Sequence, residues 1–585
     1  MMDRVNKDLL PMKAHYFLFN AGTGPVQPFL STYARQLGFS ATIVGVIYTI
    51  LPISGMLAKP IVGAIADRFR CQKLMFLAAQ LLTAAAFLAI NFSPEIPKDQ
   101  KVHFACDGDA VFDTSPLTKV EIDDCLVDQF QKIPGNVTCR LSCPMEEQFW
   151  KVVTQYWNAS EYQNYHPDKF EFTAFVVREK TVRINNATYF GFKYVELNSG
   201  KTTKALCPCG KECHISTVCD ITCDDYNLNN MVTQTAVSDE DVYSKSQFWI
   251  FLVLMIFGWV GQAVVVSVGD AICFQLLGDK HNRYGYQRLF GALGWGIFSV
   301  IAGVMVDSLS EGSSKKNFES AFYLSFAFLL LDFAISSNIK NAQTNQSTSI
   351  LKDVGRLLVE FRIVVFLIWC IAVGMCTALM WQFLFFLIED LAKNQGCDSQ
   401  EWIKTLEGIV QAIQTLAGEM PFFFWSGKIL KRIGHINAMS LVLLVIGIRF
   451  TLYSVITNPW WFLPIEFLNG LTFGLFYACM TSYASVAAPP GTEATMQGLV
   501  GAIFEGVGVS LGSFVGGLIY DAYNGPWTFR LFGIGALITC LLHAGVQYLI
   551  KRSGNKGSDY EARYTSPSEA FNALYDDQQE MTLVE

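Results

Sequence analysis

Apolar runs of about 20 residues recur along this chain, each long enough to cross a hydrocarbon core of about 30 Å as a helix. The pattern predicts twelve helices, at roughly 12–34, 40–65, 73–93, 247–272, 285–307, 318–338, 363–389, 404–427, 437–457, 460–485, 495–520 and 527–549. An even number of spans puts both termini on one face. The pattern breaks once, at 94–245, where the chain is polar and holds nine cysteines. Within that break, FEFTAFVV followed by TVRINNATYFGFKYVEL alternates with period two and predicts a strand hairpin.

Composition agrees with a membrane protein. Among 585 residues only 16% are charged, and 14% are aromatic. The net charge of −8 says little about partners, because basic residues are sorted by side. Arg4, Lys7, Lys13, Arg68, Arg70, Lys73, Lys280, Arg283, Arg288, Lys428, Lys431 and Arg432 fall on the face of the termini. The short loops opposite hold only Arg35, Lys315, Lys316, Lys393 and Lys404. By the positive-inside rule the termini are cytosolic and 94–245 is extracytosolic. The N-terminus has no small-residue cleavage site and reads as a lead-in to an uncleaved first helix. No basic arm or aromatic-interleaved patch suggests nucleic acid, and no hydrolase, nucleophile or nucleotide-binding constellation suggests an enzyme or a cofactor.

The domain reading is therefore 1–93 (helices 1–3), 94–245 (insert), 246–339 (helices 4–6), 340–362 (linker ending in a short amphipathic helix), 363–550 (helices 7–12) and 551–585 (tail). On an oxidising side Cys106, Cys125, Cys139, Cys143, Cys207, Cys209, Cys213, Cys219 and Cys223 form disulfides. Their odd count calls for a tenth, and Cys397, in the loop after helix 7, faces the same side and would tie the insert to the second half. A zinc cluster is the competing reading for Cys207 to Cys223. The sequons at Asn136, Asn158 and Asn186 are candidate glycan acceptors.

Two patterns repeat. Gly63, Asp67 and Arg68 mark one charged helix exit, and Gly427, Lys431, Arg432 and Gly434 mark another. Gly303-Val-Met-Val-Asp307 closes helix 5 as Gly517-Leu-Ile-Tyr-Asp521 closes helix 11. The second pair is closer in sequence than the first by almost the length of the insert. Two homologous six-helix halves, one interrupted after its third helix, explain both spacings.

These helix exits resemble the loop between helices two and three of the major facilitator superfamily. Gly269-Asp270-Ala, Tyr284-Gly-Tyr-Gln-Arg288-Leu-Phe-Gly291, Gly418-Glu419-Met-Pro421 and Phe467-Leu-Asn469-Gly470 look like its sugar and nucleoside proton symporter branch. The cysteine-rich insert looks most like the animal domain-containing protein 6 group. The resemblance implies an all-α membrane fold of two pseudo-symmetric six-helix bundles around a central cavity, here with a disulfide-rich, partly β insert. It implies a conformational gate at Gly63, Asp67 and Arg68, with Asp270 and Arg288 flanking the loop between helices 4 and 5 on the same face.

Charges inside spans are costly without a partner or water, so they mark candidate sites. At 1.5 Å per residue from the cytosolic helix ends, Glu419 lies about 12 Å deep, Arg449 about 18 Å and Glu505 about 15 Å. One reading is proton coupling, in which Arg449 holds Glu419 or Glu505 ionised until protonation breaks the pair; the other is a permanent structural ion pair. By the resemblance, helices 1, 4, 7 and 10 line the cavity, with Tyr16, Asn20, Gln27, Gln262, Trp381, Gln382 and Asn469 as candidate substrate contacts. Amides and aromatic faces suit hydroxylated or heterocyclic solutes. The expected function is secondary active transport of a small polar organic solute across a lipid bilayer, coupled to protons, at the plasma membrane. The competing function is a cell-surface receptor that uses the insert to bind an extracellular protein.

Overall fold

In lipid a backbone must satisfy its own hydrogen bonds, and long apolar runs do so as helices. The computed structural model describes residues 9–552, except 70, 97–98, 108, 114–123, 158, 160–166, 185–186, 208–214, 236–238, 278–283, 311–314, 340–360 and 488–492. The linker helix, the tail, Asn158, Asn186, Cys209 and Cys213 lie outside the described residues, as do the side chains of Cys125 and Asp67.

Twelve helical passes are present among the described residues. They are α1 (10–36), α2 (Ala41–Arg68), α3 (Gln72–Ile90), α4 (Ser246–Leu277), α5 (Tyr284–Leu309) and α6 (Glu319–Ser336), then α7 (361–393), α8 (403–433), α9 (His435–Tyr453), α10 (459–487), α11 (493–523) and α12 (Gly525–Arg552). Ten of these contain a stretch long and apolar enough to cross a membrane. The other two are α1, broken at Gln27–Phe29 by a 3-10 turn beside Pro28, and α8, which carries several charges.

Helices α1, α3, α4, α5 and α6 pack together with α2 as one bundle, and α7 to α12 form the other. The bundles meet along two seams, α5 against α8 and α2 against α11. Four passes of the second bundle contain π-helical turns: Leu379–Phe383, Ile413–Glu419, Gly470–Leu475 and Ile503–Val509. Such turns disrupt the regular ladder and recur where helices carry function.

The insert is a β-barrel. Its strands are β1 (Asp99–Asp107), β2 (Asp109–Asp113), β3 (Asn136–Pro144), β4 (Lys169–Ile184), β5 (Ala187–Leu197), β6 (Thr202–Lys204), β7 (Ile215–Cys223) and β8 (Thr233–Thr235). The order β2-β1-β7-β3-β4-β5 closes on itself because β2 also pairs β5, and closure removes exposed edges. The expected hairpin is β4 with β5. Inward positions hold Phe104, Phe112, Phe170, Phe172, Phe190 and Phe192, with Phe149 and Trp157 packed among them. Disulfides join Cys106 to Cys207, Cys139 to Cys223 and Cys143 to Cys219. Cys207, Cys219 and Cys223 are thus in disulfides and not in a zinc cluster. Cys397 is also disulfide-bonded. Asn136 is exposed at the start of β3.

Candidate functional site

The two bundles are shut against each other on the face that carries the insert. Both Gly-x-x-x-Asp copies lie in the seams, and they do the same thing. Gly517 of α11 meets the start of α2 so closely that a Cβ would stand 2.6 Å from the Ala41 carbonyl oxygen. Asp521, one turn on, accepts hydrogen bonds from the backbone N–H groups of Ala41 (3.2 Å) and Thr42 (2.6 Å). In the other seam a Cβ on Gly303 of α5 would overlap the Lys404 carbonyl oxygen at the start of α8, and Asp307 accepts from the Thr405 N–H at 2.6 Å. Each aspartate thus caps the amino end of a helix from the opposite bundle, where orphan N–H groups and the helix dipole favour an anion.

The seams continue inward through Gly408 on the Ser299 carbonyl, Gly45 on the Ser513 carbonyl and a reciprocal pair of hydrogen bonds between Thr49 and Ser510. Between α1 and α7, Arg35 pairs with Asp390 at 2.7 Å, and Lys404 bonds Glu389, Glu407 and Thr32. Lys404 is 1% exposed, not the solvated loop cation its position suggested.

Toward the face of the termini the seams part. On α2 and α11 the last close contact is Met56 with Gly506, beside an ion pair between Lys59 and Glu505 at 3.4 Å. Beyond it, Gly63, Gly498 and Gly501 have nothing within 4 Å of a built Cβ. Polar groups of both bundles converge on this part of the molecule. Tyr16 donates to Asp270 at 2.7 Å, and Arg288 pairs with the other oxygen of Asp270 at 2.9 Å. Arg288 is also within electrostatic reach of Glu419 and Tyr477 across the divide.

The expected meeting of Arg449 with Glu419 or Glu505 does not occur. Arg449 is fully buried and bonds Glu466, Tyr453, Asn469 (2.8 Å) and Thr472 (2.6 Å). Glu466 is its carboxylate partner; it also accepts from Tyr453 and from Gln414 at 2.6 Å. Glu419 connects to this network through Asn469, which donates to it at 3.0 Å. Glu505 faces the other bundle. A reading from helix depth lacked the azimuth, and α10 enters through 3-10 turns whose rise of about 2.0 Å per residue carries Glu466 deeper.

The remaining candidates separate. Gln262 donates to Gln27 at 2.6 Å, and Asn20 donates to the Tyr16 carbonyl oxygen, so these amides serve each other or the backbone. Trp381 is 41% exposed. Gln382 is buried, and neither its amide oxygen nor its amide nitrogen has a hydrogen-bond partner. Arg68 is exposed and lies over the ring of Phe69.

Sequence reasoning passed over several groups. Lys59 was readable as a charge inside an apolar run, as were Glu389, Asp390 and Glu407. A buried cluster in the first bundle joins His15 to Asp332 at 2.9 Å, with Gln80 and Ser336 bonded to the same carboxylate. Its signal was Asp332 inside α6.

Comparison with known proteins agrees with this architecture. The profile of the MFS_1 like family matches residues 9–531. Major facilitator superfamily domain-containing protein 6-like protein B of Xenopus laevis is 23% identical over 560 residues, covering 89% of this chain and 87% of its own. Maltose permease of Geobacillus stearothermophilus is 24% identical over 316 residues, 53% of this chain and 74% of its own. The crystal structure of the nucleoside transporter NupG superposes with a TM-score of 0.57 at 12% identity, covering 92% of this chain and 99% of that one. None of the three is an enzyme. The duplicated bundles, their two seams and the match along nearly the whole chain place this multi-pass membrane protein in the MFS_1 like family of the major facilitator superfamily.

Proposed function

We propose that this protein is a secondary active transporter of a small polar organic solute, working by alternating access, and that the described structure is its cytosol-open state. One observation carries the reading. The seams are sealed on the insert face by a motif used twice, while beyond Lys59 and Glu505 they part and leave charged groups of both bundles around a shared space. A rigid scaffold would have no use for helix caps supplied by the opposite bundle, whereas two bundles that rock need interfaces that form and release as units.

The positive-inside rule puts the termini in the cytosol and the insert outside, and three insert disulfides agree with an oxidising side. An exposed sequon at Asn136 on that side fits the plasma membrane. The relatives named for maltose and nucleoside transport support a hydroxylated solute. Gln382, buried with an unpaired amide, is a fitting donor and acceptor for it beside the face of Trp381. Proton coupling is assigned to Glu419 and Glu505. Glu419 is tied through Asn469 to the Arg449 and Glu466 pair, and Glu505 bridges the bundles through Lys59, so protonation of either alters a contact that gating must remake. Asp270 and Arg288 hold the cytosolic mouth of α4 and α5, and Gly63, Asp67 and Arg68 form the surface that meets α11 when that mouth closes.

The test is uptake into proteoliposomes from a metabolite mixture under an inward proton gradient. Depletion of one polar solute class, abolished by Gln382→Ala, supports the carrier. If no solute moves, and a partner binds through the insert instead, the protein is a receptor on a transporter scaffold.

A further inference from the structure

Among the described residues, carboxylates at the sealed insert face outnumber the cations that meet them. Arg35 of α1 and Lys404 of α8 face three acids: Glu389 and Asp390 of α7, and Glu407 of α8. The neighbouring charges do not correct the balance. Asp307 of α5 is matched by Lys316 at 2.7 Å, and Glu95 by Lys315. Tyr520 of α11 donates a neutral hydrogen bond to Asp390 at 2.7 Å, and Tyr33 of α1 donates to backbone carbonyls. Lys393 sits exposed at the end of α7, where water screens its pull on Glu389, and Glu319 is exposed as well.

The excess falls on the deepest acid. Glu407 is 0% exposed, and its one hydrogen-bonding partner among the described residues is Lys404, which it shares with Glu389. A third negative charge enclosed with two cations is costly, and one proton removes it.

We propose that Glu389 and Glu407 hold one exchangeable proton between them when this gate is shut, so that closing the insert face takes up a proton from the medium on that side. The inference rests on the reading that the two bundles rock. Opening withdraws Arg35 and Thr32 with the first bundle and lets water reach Lys404, Glu389 and Glu407; the proton then leaves from a carboxyl oxygen to the same medium. This proton is a lock and not the transported ion, since the shut gate separates it from the cytosol. The other seam is biased the same way. Asp239, ahead of α4, accepts from Ser40 at 2.7 Å; burial pushes its carboxyl up, and nearby Asp521 adds to this. A carboxyl raised in the shut state favours that state as pH falls through the raised value.

The experiment measures distances between spin labels at Glu319→Cys and Asn394→Cys, exposed positions on the two bundles at this face, with Cys71 and Cys540 replaced by serine. The full chain in nanodiscs without solute is scanned from about pH 8 to about pH 5. The short-distance population should gain on the long one as pH falls, by up to about tenfold per pH unit for each linked proton. Glu407→Gln should hold the short distance throughout and flatten the response. If Glu407→Gln fails to fold, Glu389→Gln should lower the slope in the same way. A wild-type distribution that ignores pH, or a Glu407→Gln protein with the wild-type slope, overturns the proposal. No flux enters this measurement, so a pH response without any transported solute would sink the carrier and leave the lock standing.

Discussion

Replacing Gly408 by alanine should open the insert face. The added Cβ would stand 2.6 Å from the Ser299 carbonyl oxygen, 2.9 Å from the Val300 Cα and 3.1 Å from the Ser299 carbonyl carbon. All three are backbone atoms of α5, so no side chain can turn aside and the helices must separate. Overpacking of this kind costs about 1–3 kcal/mol. Alanine's better helix propensity applies in both states and cancels. The whole penalty therefore falls on the shut state and shifts the shut-to-open ratio by about 5- to 150-fold. Ser513 reports the shift from the other seam: it is 0% exposed, and its carbonyl lies against Gly45. In a Ser513→Cys background, with Cys71 and Cys540 replaced by serine, an impermeant maleimide applied from the insert side should react faster by that factor in Gly408→Ala. Gly535→Ala, where a Cβ meets nothing within 4 Å, should react as the parent does. A folded Gly408→Ala protein with the parental rate would show that the seams do not open together, and the rocking of two bundles would have to be given up.

Arg449→Ala leaves Glu466 buried without its cation and should cost about 3–5 kcal/mol, seen as a marked drop in melting temperature or loss of the folded peak in detergent. Glu505→Gln breaks an ion pair whose members are 38% and 42% exposed, so its stability cost should stay below about 1 kcal/mol while proton-driven uptake disappears; uptake that keeps its proton dependence would remove Glu505 from the coupling. Cys397→Ser should free one new thiol in the insert, detected by alkylation and peptide mapping, and an unchanged thiol count would place its partner elsewhere. Asn136→Gln should lower the mass of protein made in a eukaryotic host by one glycan.

How far the sequence reaches can be judged residue by residue. The twelve passes were legible because a span needs about 20 apolar residues whatever surrounds it, and the β4–β5 hairpin because half-buried strands alternate. Gly303 with Asp307 and Gly517 with Asp521 were visible as a repeat, yet nothing in the letters said that each pair closes on a helix of the other bundle. Arg449 and Glu419 stood out as charges inside spans, but the cation, fully buried, went to Glu466. Lys59 stood in plain view within an apolar run, and its meaning depended on Glu505, more than 400 residues away.

The sequence by itself determined the number of passes, the interruption by an oxidised insert and the duplication, since each follows from local hydrophobic length, period and composition. Only the tertiary structure decided which charges are partners and which face is shut. Depth along a helix follows from residue count, but partnership depends on azimuth, on 3-10 and π turns that shift it, and on how closely glycines let two backbones approach.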